Sequence, residues 1–148
     1  MITEYITDFT VFPEHINFAG TLFGGVLLGK MDIAAATLAR KLIYATEADG
    51  AVTASMDKVD FLVPGHVGDL ITIKSVLKSL GRSSILIQCK VYREDRKGNI
   101  EKMCTAMFTF VAVKDGRPIP HGLSFGNLFE KVETKETFNS PLSENSLA

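Results

Sequence analysis

The sequence predicts an α+β domain in which one antiparallel sheet curls around a single long helix. Three observations carry this. A run from about Gly24 to about Ala45 keeps a helical period and is apolar nearly all round. From Ala51 to Lys114 come four β-type runs with no comparable helical pattern among them. The joins between those runs are short turns, which favour antiparallel neighbours. A helix apolar on most sides has to be covered on most sides, and a curled sheet does that.

Thr3 to Phe12 alternates as an opening strand, and Pro13 stops it. Residues 13–24 read as a loop punctuated by Pro13, Asn17, Gly20 and Gly24. The helix follows, and Asp49-Gly50 marks a turn. Ala51 to Val63 is the next strand, ended by Pro64-Gly65. Val67 to Leu80 alternates most clearly from Leu70 to Leu77. Ser83 to Arg93 sets Ile85, Ile87, Cys89 and Val91 against Ser84, Leu86, Gln88 and Lys90. Met103 to Lys114 is almost continuously apolar, the pattern of a central strand with both faces covered, which points to a sheet whose outer face also packs, against another subunit. Residues 1–130 form the expected domain, and the Glu-, Thr-, Ser- and Asn-rich stretch 131–148 is expected to be a flexible polar tail.

Composition narrows the function. A net charge of −1, from 16 basic and 17 acidic residues, provides no global field for nucleic acid or a membrane surface. The run at Gly25–Ala45 is long enough for a membrane span, but Lys30, Asp32, Arg40 and Lys41 fall inside it and each is costly in lipid. Met1-Ile-Thr-Glu-Tyr lacks the basic and then apolar run of a signal peptide, so a cytoplasmic protein is expected. Cys89 and Cys104 sit in apolar alternating runs and read as small buried hydrophobes, with no disulfide or metal role. His15, His66 and His121 lie near turns or prolines, where a solvated imidazole is the usual case, and no His or Cys pair has metal-ligand spacing.

Two features point to chemistry. Gly24-Gly25 opens the helix, where backbone N–H groups aim at whatever lies in front and the missing Cβ allows close approach. Asp32 is the only carboxylate in the helix, with Leu28, Gly29, Ala35, Ala36 and Ala39 as its stripe neighbours and Lys30 and Lys41 on nearly the opposite side. The plain alternative is a surface Asp. A carboxylate in such company has to find partners or shift its pKa, which favours a base or nucleophile.

The segment Asn17-Phe-Ala-Gly20-Thr-Leu-Phe-Gly24-Gly25, then Met31-Asp32, Val67-Gly68-Asp69 and Gly81-Arg82-Ser83-Ser84, resembles the acyl-CoA thioesterases of the hotdog fold, over roughly residues 5 to 120. The combination is specific where Gly-Gly or Gly-Asp alone is not. His15-Ile16 departs from the Asp-Thr or similar polar pair that precedes the Asn in relatives. The resemblance implies a sheet wrapped round one central helix, homodimers formed through the sheets, and assembly of dimers into hexamers. It implies hydrolysis of acyl-CoA to free acid and coenzyme A, with no cofactor beyond the coenzyme A of the substrate. Asp32 would be the base or nucleophile, Asn17 would polarise the carbonyl or position water from across the dimer, and the Gly25 N–H, beside Gly24, would bind the oxyanion. Arg82, Ser83 and Ser84 would contact coenzyme A, the Arg through phosphate. The bland reading of Asn17 is a loop residue in left-handed backbone, and that of 81–84 a polar turn. Two other readings share the fold: a non-catalytic acyl-CoA-binding protein, and an acyl-thioester hydratase or dehydratase. The second normally pairs His with an acid in the helix region, and this helix has no His.

Overall fold

Leu27, Met31, Ala34, Ala35, Leu38, Ala39, Leu42 and Ile43 recur at helical spacing and are buried along one side of the long helix. That stripe decides the architecture. In the computed structural model, which describes residues 2–125, the helix α1 runs Gly24–Ile43. The strands are β1 Glu4–Thr10, β2 Gly50–Phe61, β3 Leu70–Leu80, β4 Ser84–Glu94, β5 Ile100–Lys114 and the two-residue β6 Arg117–Pro118. They form one antiparallel sheet in the order β1-β3-β4-β5-β2, with β6 beside β5. The sheet packs on α1 with Ile71 and Ile73 of β3, Ile85, Ile87, Cys89 and Val91 of β4, and Cys104, Phe108 and Phe110 of β5. Phe108 and Phe110 stack at 6.4 Å, large side chains opposite a helix face rich in alanine. The expected fold class is the one observed.

The element ends differ from the sequence reading by local causes. The strand expected from Val67 begins at Leu70, because residues 66–69 turn first: Asp69 N–H donates to the His66 carbonyl at 3.0 Å, and Gly68 sits at φ +91°. The expected loop 13–24 contains a 3-10 turn at Pro13–His15 and an isolated bridge between Ile16 and Leu22. The expected central strand is also corrected. β5 is next to the edge strand β2, and β4 is in the middle. β5 alternates buried and half-buried residues from Cys104 to Val113, since only its even-numbered positions face α1. The strand buried on both faces is β3, from Ile71 to Ser75. Its outward Lys74 is 4% exposed and pairs with Glu4 of β1 at 3.7 Å. The proposed tail 131–148, and the end of the 1–130 domain, lie outside the described residues.

β2 is the edge strand opposite β1, and most of its residues are exposed, Val52 and Met56 among them. Its pairing with β5 slips twice, between Thr53 and Ser55 and between Asp57 and Asp60. Lys58, in the second slip, takes φ +52°, so these are β-bulges.

His121 corrects the expectation that all three histidines are solvated: it is buried, while His66 is exposed and His15 half-buried. Both cysteines are free and buried, as expected. Burial pushes the Cys89 thiol up to about 12 and the Cys104 thiol up to about 11. The folded chain therefore keeps protons that the unfolded chain, with thiols near about 8.5, releases. Their contribution to stability is complete below about pH 8.5 and falls as pH rises through that value toward 11 and 12. Native protein at pH 8 should leave a disulfide reagent unreacted over the minutes of an assay, and unfolding in guanidinium should release both thiols of the two cysteines. Rapid colour from native protein would contradict the buried placement.

Candidate active site

Asp32 stands at the margin of the buried stripe, between fully buried Met31 and Ile33, which is 68% exposed. From there its half-buried side chain meets the edge strand. The Asp32 carboxylate accepts a hydrogen bond of 2.7 Å from the Thr53 hydroxyl of β2. Thr53 is the residue that the sequence reading missed. Nothing in an alternating run distinguishes one Thr, and only the first bulge sets this one at the end of the regular pairing. Beneath lie Met31 and Cys89, whose thiol approaches the Met31 carbonyl at 3.8 Å and the Ser75 hydroxyl at 3.4 Å. The Asp32 charge adds to the burial and the Cys104 charge that raise the Cys89 thiol. Lys30 turns away, as its helical position requires, and lies over the Phe9 ring at 4.5 Å.

Gly24 and Gly25 open α1 behind Phe23, and no side chain caps the helix. Leu27 N–H donates to the Phe23 carbonyl at 3.1 Å, so the amides before it lead the helix without intrahelical partners. Aromatic rings crowd both glycines. A Cβ on Gly24 would stand 3.3 Å from Phe61, and one on Gly25 would stand 2.8 Å from Phe23. A cleft of ≈ 300 Å³ opens beside Gly24, lined by Leu22, Leu27, Phe61, Leu62, Val63 and Met103 among others. Its far wall, Pro64-Gly65, is anchored by Arg93, which donates to the Pro64 carbonyl at 2.7 Å and pairs with buried Asp69 at 3.3 Å. Asp69 also accepts from His66 N–H at 2.8 Å. Asp69 of the Val67-Gly68-Asp69 segment thus braces the wall of the cleft through Arg93 without lining it.

Asn17 closes its own loop. Its Oδ1 accepts from the N–H groups of Ala19 and Thr21 at 2.9 and 3.1 Å, and its Nδ2 donates to the Thr21 hydroxyl at 3.0 Å. The left-handed residue in this loop is Gly20, at φ +83°, and not Asn17. Among the described residues no hydrogen bond joins Asn17 to Asp32. Gly25 precedes Asp32 by seven positions, about 10 Å along a helix axis at about 1.5 Å per residue. One chain therefore does not bring the three expected catalytic groups to one point.

Gly81, Arg82 and Ser83 join β3 to β4, and Ser84 opens β4. Arg82 is exposed, and its guanidinium has no partner among the described residues. A Cβ on Gly81 would meet the Ser84 hydroxyl, which would have to rotate away. Register links the turn to the carboxylate: Thr53 pairs with Phe110, and Phe110 pairs with Ile85, the residue after Ser84. The described residues contain no group of three or more His, Cys, Asp or Glu placed to hold a metal ion, and no helix long and apolar enough to cross a membrane.

An acyl-CoA thioester hydrolase of Bacillus subtilis, itself uncharacterized, is 40% identical over 113 residues, covering 74% of this chain and 63% of its own. Protein VdlD of Helicobacter pylori is 34% identical, covering 80% of this chain and 66% of its own length, so this chain spans just under two thirds of these curated relatives. A hexameric thioesterase from Yersinia pestis superposes with a TM-score of 0.73 at 31% identity, over 80% of this chain and 94% of that one. An acyl-CoA hydrolase from Staphylococcus aureus, solved with butyryl coenzyme A and coenzyme A, gives 0.72 at 28%, over 89% and 85%. Residues 19–99, from the Asn17 loop through β4 to the following turn, match the family model of the thioesterase superfamily. With more than half of its length matched and a hotdog sheet wrapped on one helix, the chain belongs to the thioesterase superfamily.

Proposed function

We propose that this protein hydrolyses acyl-CoA thioesters to a carboxylic acid and coenzyme A, at sites shared between two subunits. The observation that carries the reading is the Asp32 carboxylate, held by Thr53 at the open edge of the sheet. A base or nucleophile has to reach the thioester carbonyl within about 3–3.5 Å. The Gly25 amide, about 10 Å away on the same helix, is too distant to hold that carbonyl for its own Asp32. A second copy resolves the distance by presenting its Gly25 amide and Asn17 loop to this Asp32. β2 is the place for it to dock, a twelve-residue edge strand with unpaired backbone and exposed Val52 and Met56, next to the Asp32–Thr53 pair.

In this scheme the carbonyl oxygen sits on the Gly25 N–H, where the α1 dipole favours the charge that develops on attack. The Asn17 amide assists through the donor that Thr21 leaves unused. Asp32 attacks directly or draws a proton from water, and Thr53 fixes its orientation. The acyl chain lies in the apolar cleft beside Gly24. Arg82, with Ser83 and Ser84, binds coenzyme A phosphate. Water is the co-substrate. Since the Yersinia relative is hexameric, dimers of this chain are proposed to assemble likewise.

The direct test is turnover of a panel of acyl-CoAs, read by a thiol reagent; complete inactivity across the panel would reject the reading. Asp32→Asn should lower kcat by about 10²-fold or more with the fold intact, as for loss of a base or nucleophile. A purified variant with near wild-type turnover removes Asp32 from the mechanism. Arg82→Ala should raise KM for acyl-CoA with little change in kcat, and should leave an acyl-pantetheine thioester unaffected, because a remote phosphate contact is the same in ground and transition states. Equal loss on both substrates argues against the phosphate contact. Co-expression of inactive Asn17→Ala with inactive Asp32→Asn should restore activity. About half of random dimers are mixed and each carries one intact site, so about a quarter of sites should work. Verified heterodimers no more active than either parent would show that sites are not shared in this way.

A further inference from the structure

The turn that carries Arg82 is held from behind by a buried histidine that the proposed chemistry does not use. Three successive carbonyls of the turn are all engaged. The Arg82 carbonyl accepts from His121 N–H at 3.1 Å, the Ser83 carbonyl from Ala112 N–H at 2.8 Å, and the Ser84 carbonyl from Gly81 N–H at 3.0 Å. The Ser84 carbonyl also lies 3.0 Å from His121 Nε2. The other ring nitrogen, Nδ1, accepts from Leu123 N–H at 3.0 Å. A nitrogen that accepts carries no proton, so the proton is on Nε2 and that atom donates to Ser84. His121 thus bonds both ends of the turn, Arg82 by its backbone and Ser84 by its ring. With these three carbonyls engaged, the turn keeps free donors: the Arg82 guanidinium, and the Arg82 and Ser83 amides, which donate to no described residue. That polarity suits an anion.

We infer that His121 is a positioning residue for coenzyme recognition. It holds the Arg82–Ser84 turn with its carbonyls engaged and its donors free, ready for a phosphate group of the acyl-CoA. The inference rests on the proposed Arg82–phosphate contact. A turn fixed before binding avoids the ordering cost that a loose one would incur when the phosphate arrives. Histidine suits the position because a neutral imidazole donates at one end and accepts at the other across a rigid ring. His121→Gln can keep a donor toward Ser84; His121→Asn is too short to do so.

The test is a set of variants assayed on the acyl-CoA turned over best and on the matching acyl-pantetheine thioester, which lacks the phosphates. His121→Asn should raise KM for acyl-CoA about fivefold while kcat and the pantetheine thioester are unchanged, and His121→Gln should recover most of the loss. In an Arg82→Ala background, His121→Asn should add no further loss, because it acts through Arg82. Equal loss on both substrates, or a full additional loss in the Arg82→Ala background, overturns the positioning role. If Arg82→Ala discriminates the substrates and His121→Asn does not, this inference fails and the phosphate contact stands. If Arg82→Ala does not discriminate, both fail. Should His121→Asn not fold, the wild-type His121 ring resonances decide: they should shift on saturation with coenzyme A and not with pantetheine, and an unchanged ring overturns the inference.

Discussion

The burial of one long face of α1 in a single curved sheet is the constraint on which everything else depends. It places Leu27, Met31, Leu38 and Leu42 against the strands, and so leaves Asp32 at the edge of that face, where β2 is the strand within reach. Had the carboxylate been one position earlier it would be sealed in the core beside Cys89, and one position later it would stand in solvent with Ile33. The straightness of the same helix separates its amino-terminal amides from Asp32 by two turns. One geometric fact thus both holds the carboxylate and denies it a local oxyanion donor.

The motif divides into parts that shape the backbone and parts that face outward. Asp69 ties the 66–69 turn to Arg93, and Asn17 closes a five-residue loop on Thr21. Gly81 makes room for the Ser84 hydroxyl, and Gly24 for Phe61. Residues that look like a signature of chemistry are in several cases the reason the chemical groups stand where they do. Arg93 illustrates the cost of such scaffolding. Its buried Nε has no well-directed hydrogen bond although Asp69 lies 3.3 Å away, so the pair is held mainly by charge and by the bond to the Pro64 carbonyl.

Periodicity made the helix and the strands legible, because a stripe such as Leu27-Met31-Leu38-Leu42 has no other packed solution. Asp32 was legible because it is the only acid on that stripe. Thr53 was not, since its importance comes from a contact twenty-one residues away in sequence. His121 was misread because its burial depends on a carbonyl of the β3–β4 turn, which no local pattern encodes. β5 suggested a centre it does not occupy, because an apolar run reports composition on both faces and not position in the sheet. The double burial of β3 was hidden by Thr72, Lys74 and Ser75, polar residues that pair or pack within the sheet.

The two bulges of β2 carry a consequence of their own. Opposite β5, Ala51 and Thr53 pair with inward-facing Ala112 and Phe110, so odd-numbered positions point toward the helix at the start of the strand. After the first bulge the parity inverts: Ser55 and Asp57 pair with outward-facing Thr109 and Met107, and Met56 pairs with inward-facing Phe108. After the second it is restored, and Phe61 points inward again opposite Cys104. Each bulge absorbs one surplus residue, so that Thr53 before the bulges and Phe61 after them both stay on the helix side. A lineage losing the surplus residue at either bulge would regularise the strand and leave every other pair in register, whereas losing one from a regular stretch would shift the pairs beyond it and turn their side chains to the other face. Length changes in this strand are therefore tolerated at its bulges and not between them, and the count of residues in its regular stretches is as much a part of the site as their identity.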